Sequence, residues 1–108
     1  MPQAAIAADL ACVCKALSAE TRVRILQLLG PRPLCVNALA DRLGVTQSAA
    51  SQHLRILRAA GLVRGEKRGY FVHYALNEAN LQRAHEQLAT LLRAPQEPGR
   101  CAGHGVPQ

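Results

Sequence analysis

Two groups of residues carry the chemistry that this chain has to offer. One is a run of neutral hydrogen-bonding side chains in the middle of the sequence, and the other is a set of four thiols. Gln47, Ser48, Ser51, Gln52 and Arg55 fall on one side of a helical wheel, opposite Ala50, Leu54 and Leu57. A face turned only to water favours Lys and Glu. Gln, Ser and Arg instead supply donors and acceptors that match base edges in a major groove. Thr46 and His53 lie within the same run and complete its candidate DNA contacts. Downstream, Lys67 and Arg68 stand where they can meet phosphates or a minor groove. The thiols are Cys12, Cys14, Cys35 and Cys101, with His73, His85 and His104 as nitrogen donors.

These groups need elements to position them. The stretch from Cys35 to Gly61 splits into two helical patterns around Gly44-Val45-Thr46-Gln47. Before the break, Val36, Leu39, Ala40 and Leu43 recur at the spacing of one helix face. Gly44 suits the left-handed residue that ends a helix, and Thr46 can cap the next one through its hydroxyl. Ala50, His53, Leu54 and Leu57 then repeat the spacing, and Gly61 closes the helix. Two short helices joined by a tight turn containing glycine make a helix-turn-helix.

On the N-terminal side, Ile6, Leu10, Val13 and Leu17 form a helical stripe, and Ser18 is placed to cap a second helix running to Leu29. Arg22 and Arg24 lie near the start of that helix, where the dipole disfavours cations. They read either as contacts to a phosphate or acidic partner, or as arginines screened by solvent. Gly30-Pro31-Arg32-Pro33 ends the helix, because prolines cannot continue it. After Gly61 the period shortens. Leu62-Val63-Arg64 and Tyr70 to Leu76 read as strands, with Gly65 to Gly69 as the hairpin loop between them. A basic hairpin beside a helix-turn-helix is a wing. Asn77 caps a last helix whose apolar stripe is Leu81, Ala84, His85, Leu88, Leu91 and Leu92. The expected fold is therefore mainly α with a small β-hairpin wing, a winged helix-turn-helix in the order ααααββα. The domain spans residues 1–94, and the Pro- and Gly-rich residues 95–108 form a flexible tail.

Composition sets bounds on the partners. A chain of 108 residues makes one domain, and its 49% hydrophobic content with 3% aromatics implies a core of Leu, Val, Ile and Ala. The net charge of +6 favours an anionic partner, most simply nucleic acid. Arg55, Arg58, Arg64, Lys67 and Arg68 face the single acid Glu66 in that region. No run is long enough to span a membrane and no secretory signal is visible, so the expectation is a cytoplasmic protein with free thiols. No Ser-His-Asp set, phosphate loop or paired-carboxylate pattern argues for an enzyme. Cys-x-Cys alone leaves a small metal-buffering thiol protein as the alternative class, while an oxidoreductase would want Cys-x-x-Cys in an α/β setting.

Taken together, KALSAETRVRILQLL (Lys15 to Leu29), LCVNALADRLGVTQSAASQHLRILRAAGLV (Leu34 to Val63) and RGYFVHYAL (Arg68 to Leu76) resemble the ArsR/SmtB family of winged-helix repressors. The resemblance implies a homodimer that binds double-stranded operator DNA, needs no cofactor to do so, and lets go when an inducer binds. It also implies dimerisation through the first and last helices, with Ile6, Leu10, Val13, Leu81, Leu88 and Leu92 as interface residues.

The inducer is where the chain departs from the family's patterns. Metal-sensing members carry L-C-V-C-D-L ahead of the recognition helix; here Cys35 keeps the first thiol and Asn37 replaces the second. The paired Asp and His ligands that other members carry on the last helix are missing. Cys12 and Cys14 point about 200° apart on a regular helix, so both can hold one ion only if the segment unwinds. By the resemblance, one of them joins Cys35 across the dimer, and Cys101 can add a further ligand. Three thiolates suit As(III) or Sb(III), whereas Zn(II) or Cd(II) wants a fourth ligand. The competing chemistry is a disulfide or polysulfide link, for instance between Cys35 and Cys101. The plain alternative is that the cysteines are small core residues.

Overall fold

The computed structural model describes residues 2–93, so Cys101, His104 and the expected tail lie outside the described residues. Five helices and three strands follow in the order α1 (Pro2–Ala16), α2 (Glu20–Leu29), β1 (Leu34–Cys35), α3 (Val36–Leu43), α4 (Gln47–Ala59), β2 (Val63–Arg68), β3 (Phe71–Leu76) and α5 (Glu78–Leu92). The winged helix-turn-helix is present, with one strand more than expected. Leu34 and Cys35 pair antiparallel with Tyr74 and His73, and the sheet order is β1-β3-β2. Two residues are too few to show a period, and only the distant β3 makes them a strand.

The core sits where α2, α3 and α4 meet the sheet. Ile25, Leu39, Leu54, Leu57 and Leu62 are its largest fully buried side chains, and Leu29, Leu34, Leu43 and Val63 extend it. At about 25 cal/mol per Å² of apolar surface, each such side chain supplies roughly 1.5–3 kcal/mol. The helix-turn-helix closes as its sequence demands. Gly44 adopts φ 70°, and the Thr46 hydroxyl accepts from the Ala49 amide at 3.0 Å.

Ser18 does not cap α2: its hydroxyl donates to the Lys15 carbonyl at 2.7 Å, closing α1, while Ala19 holds the N-cap position. The α1 stripe is shifted, because Ala16 is buried and Val13 packs on the core, whereas Ile6 and Leu17 are exposed. The hairpin loop is shorter than expected. Arg68 pairs with Phe71, leaving Gly69-Tyr70 as a two-residue turn, with positive φ only at Gly69. That is the type II′ pattern, whose twist matches the flanking strands. Gly65, Glu66, Lys67 and Arg68 are therefore strand residues.

At the far end, Asn77 caps α5 by accepting from the Asn80 amide at 3.2 Å. The Asn80 side chain in turn donates to the Gly61 carbonyl at 2.9 Å and ties α5 to the α4–β2 turn. No described helix is long and apolar enough to cross a membrane.

Candidate nucleic-acid interface and thiol sites

Helix α4 buries Ala50, Leu54 and Leu57 and turns Gln47, Ser48, Gln52 and Arg55 to the outside, with Ser51 half-buried. Burial on one side fixes the rotation of the helix, and with it the polar face. Gln47 donates from its side-chain amide to the Asn37 side-chain carbonyl, joining the start of α4 to α3. Ser51 and Arg55 also line a cleft between α4 and the wing together with Arg58 and Tyr74. Arg58 and Tyr74 join the site only through the fold; in the sequence Arg58 stands out solely as one of the local cations. Gly65 leaves room for that arginine: a Cβ there would lie 3.4 Å from an Arg58 nitrogen and 3.2 Å from Val72.

The two basic wing residues differ in their surroundings. Arg68 donates to the Glu66 carboxylate at 2.9 Å, and Arg64 pairs with the other carboxylate oxygen. These hydrogen bonds, first from Arg64 and then from Arg68, hold the Glu66 carboxyl below its ordinary range. Lys67 is exposed and enters no ion pair among the described residues. Beyond it, the turn presents Tyr70, fully exposed, and Phe71, 58% exposed.

His53 lies apart from this outward row. Its Nδ1 is 3.2 Å from an Arg22 terminal nitrogen, and because a guanidinium only donates, the ring nitrogen accepts. Arg22 also donates from Nε to the Ala16 carbonyl at 2.7 Å and more weakly to Lys15. Neither sequence reading of Arg22 survives. From α2 it satisfies the Ala16 carbonyl at the end of α1 and ties that end to α4.

The three thiols of the described residues do not gather at one place. Cys12 and Cys14 are both exposed on α1, and Cys35 is half-buried in β1 at the N-cap of α3. Among the described residues no three His, Cys, Asp or Glu side chains gather as a metal site. His85 is exposed on α5. On the apolar faces, Val13 and Leu81 pack on the core, Leu10 is half-buried, and Ile6, Leu88 and Leu92 are exposed.

Comparison with known proteins agrees with this architecture. The description "Bacterial regulatory protein, arsR family" matches residues 19–64. The repressor SmtB of Mycobacterium tuberculosis is 45% identical over 67 residues, covering 62% of this chain; the chain spans only 50% of that relative's length. An ArsR-like transcriptional regulator from Rhodococcus sp. RHA1 superposes with a TM-score of 0.72 at 39% identity, over 78% of this chain and 79% of its own. The homodimeric winged helix-turn-helix DNA-binding domain of Mb0332 from Mycobacterium bovis superposes with a TM-score of 0.70 at 27% identity, over 90% and 92%. A helix-turn-helix with a basic wing, matched in sequence and in three dimensions to named regulators, leaves one assignment: this chain belongs to the arsR family of bacterial transcriptional regulators.

Proposed function

We propose that the protein is a homodimeric cytoplasmic repressor that binds double-stranded operator DNA through α4 and the β2–β3 wing, and is released when an inducer acts on its thiols. The observation that carries the DNA reading is the outward row Gln47, Ser48, Gln52 and Arg55, held in place by the buried side of α4 and flanked by Lys67. Arg55 and the glutamines read base edges, while Lys67 and Arg68 contact phosphates. His53 acts from behind α4, through Arg22.

The dimer is supported by the exposed apolar residues Ile6, Leu88, Leu91 and Leu92 on α1 and α5, and by the homodimeric state of the Mycobacterium bovis neighbour. The name of the tuberculosis relative supports repression.

For the inducer, a soft metalloid or metal such as arsenite suits the four thiols. Since three ligands do not gather within the described residues, a three-thiolate site draws on Cys101 or on the second subunit. Titration of the DNA complex with As(III), Zn(II), Cd(II) and an organic polysulfide tests this. Release by As(III) at one ion per subunit, lost in Cys35→Ser, is the expected result. Release by polysulfide alone would make the thiols a redox pair, and release by none of the four would overturn thiol sensing.

A further inference from the structure

Cys35 is not isolated in the folded chain. It is the direct antiparallel partner of His73, and His73 is in turn the partner of Glu66 on the other side. Directly opposed residues send their side chains to the same face of a sheet, with Cβ atoms about 4.5–5.5 Å apart. Cys35, His73 and Glu66 thus form one row across the three strands. Within that row the Nδ1 atom of His73 is buried and has no hydrogen-bond partner among the described residues. A buried nitrogen of this kind calls for an explanation, and a bound ion is one of the recognised ones. Glu66 is committed to Arg64 and Arg68.

We propose that Cys35 and His73 form a two-ligand site for a single soft monovalent cation, of which Cu(I) is the type. It rests on the sensing reading above only in taking Cys35 as a reactive thiol, and it adds a nitrogen ligand. Thiolate selects soft ions and imidazole suits copper. Zn(II) needs four ligands in a closed site, and no third group of the described residues joins the pair. A d10 monovalent ion is satisfied by two. On binding, the Cys35 thiol gives up its proton to solvent, sulfur and nitrogen each donate an electron pair to the ion, and no oxidant or reductant is consumed. The ion clamps β1 to β3, and so fixes the wing's inner strand to the residue that starts α3.

The test uses the full chain with Cys12, Cys14 and Cys101 replaced by Ser, so that Cys35 is the one thiol left. Cu(I), added as its acetonitrile complex without oxygen, is titrated in competition with a chromophoric Cu(I) chelator. The expected result is one Cu(I) per chain, with an X-ray absorption shell of one sulfur and one nitrogen. His73→Gln in that background weakens binding by more than the roughly tenfold to hundredfold that loss of an outer partner costs. Unchanged affinity in folded His73→Gln, a shell of sulfur alone, or no Cu(I) binding by the triple variant overturns the site. Should His73→Gln fail to fold, the absorption shell of the triple variant decides. The readout is the free protein, so failure of operator release by thiol reagents, which would sink the sensing reading, leaves this site standing.

Discussion

Arg55 and Lys67 are both exposed cations, one on α4 and one on the wing, and the proposed function gives them different work. Arg55 projects from the reading helix. Arg55→Ala is expected to weaken specific binding by roughly 1–3 kcal/mol while leaving random DNA nearly unaffected. Lys67→Ala is expected to weaken all sequences alike and reduce the salt dependence by about one counterion. Binding isotherms on specific and random duplexes at several salt concentrations separate the two, and equal loss on both duplexes in Arg55→Ala would refute its reading role. Glu66 restrains its arginine neighbours. Glu66→Gln frees Arg64 and Arg68, so non-specific binding should tighten and its salt dependence steepen; an unchanged salt slope would show that neither arginine reaches phosphate. The pH sign follows from the lowered carboxyl. Its contribution to stability is present above the ordinary carboxylate range and is lost as pH falls through the lowered value in the fold. Because the pair is exposed, that contribution is small.

The joints between elements divide into those written locally and those made by tertiary contact. Thr46→Ala removes the hydroxyl that caps α4, and should cost about 0.5–2 kcal/mol of unfolding free energy. Gly44 and Gly61 both have positive φ, but a Cβ at Gly44 meets nothing within 4 Å, whereas at Gly61 it falls 2.9 Å from the Asn80 side-chain nitrogen that donates to Gly61. Gly61→Ala should therefore destabilise more than Gly44→Ala in parallel denaturant melts, and the reverse order would contradict the α4–α5 tie. The same division explains what could be read from the sequence. Gly44, Thr46 and Asn77 act within four residues of themselves, so their roles are legible in order along the chain. Arg22 reaches His53 from α2 to α4, and β1 exists only because β3 lies beside it. Nothing local announces either. Lys67 and Arg68 kept their place on the wing, but the length of β2 depended on a two-residue turn that a five-residue Gly-to-Gly segment does not reveal.

At the scale of the whole molecule, α5 has no buried residue in the single chain, although it carries Leu81, Leu88, Leu91 and Leu92. Leu81 packs on the core, but Leu88, Leu91 and Leu92 stay exposed; in the proposed dimer a second copy covers that side, and paired readers suit paired half-sites. Leu88→Glu is expected to shift the protein from dimer to monomer in sedimentation equilibrium and to weaken operator binding with it. The central claim is that the α4 face of such a dimer reads specific DNA. Its most direct test is fluorescence anisotropy of the purified protein on fragments from upstream of its own coding sequence, at two salt concentrations, beside Arg55→Ala. The expected result is one fragment bound at two subunits per site, with a preference over random duplex that survives higher salt and collapses in Arg55→Ala. Equal affinity for every duplex, erased by salt and indifferent to Arg55, would contradict it.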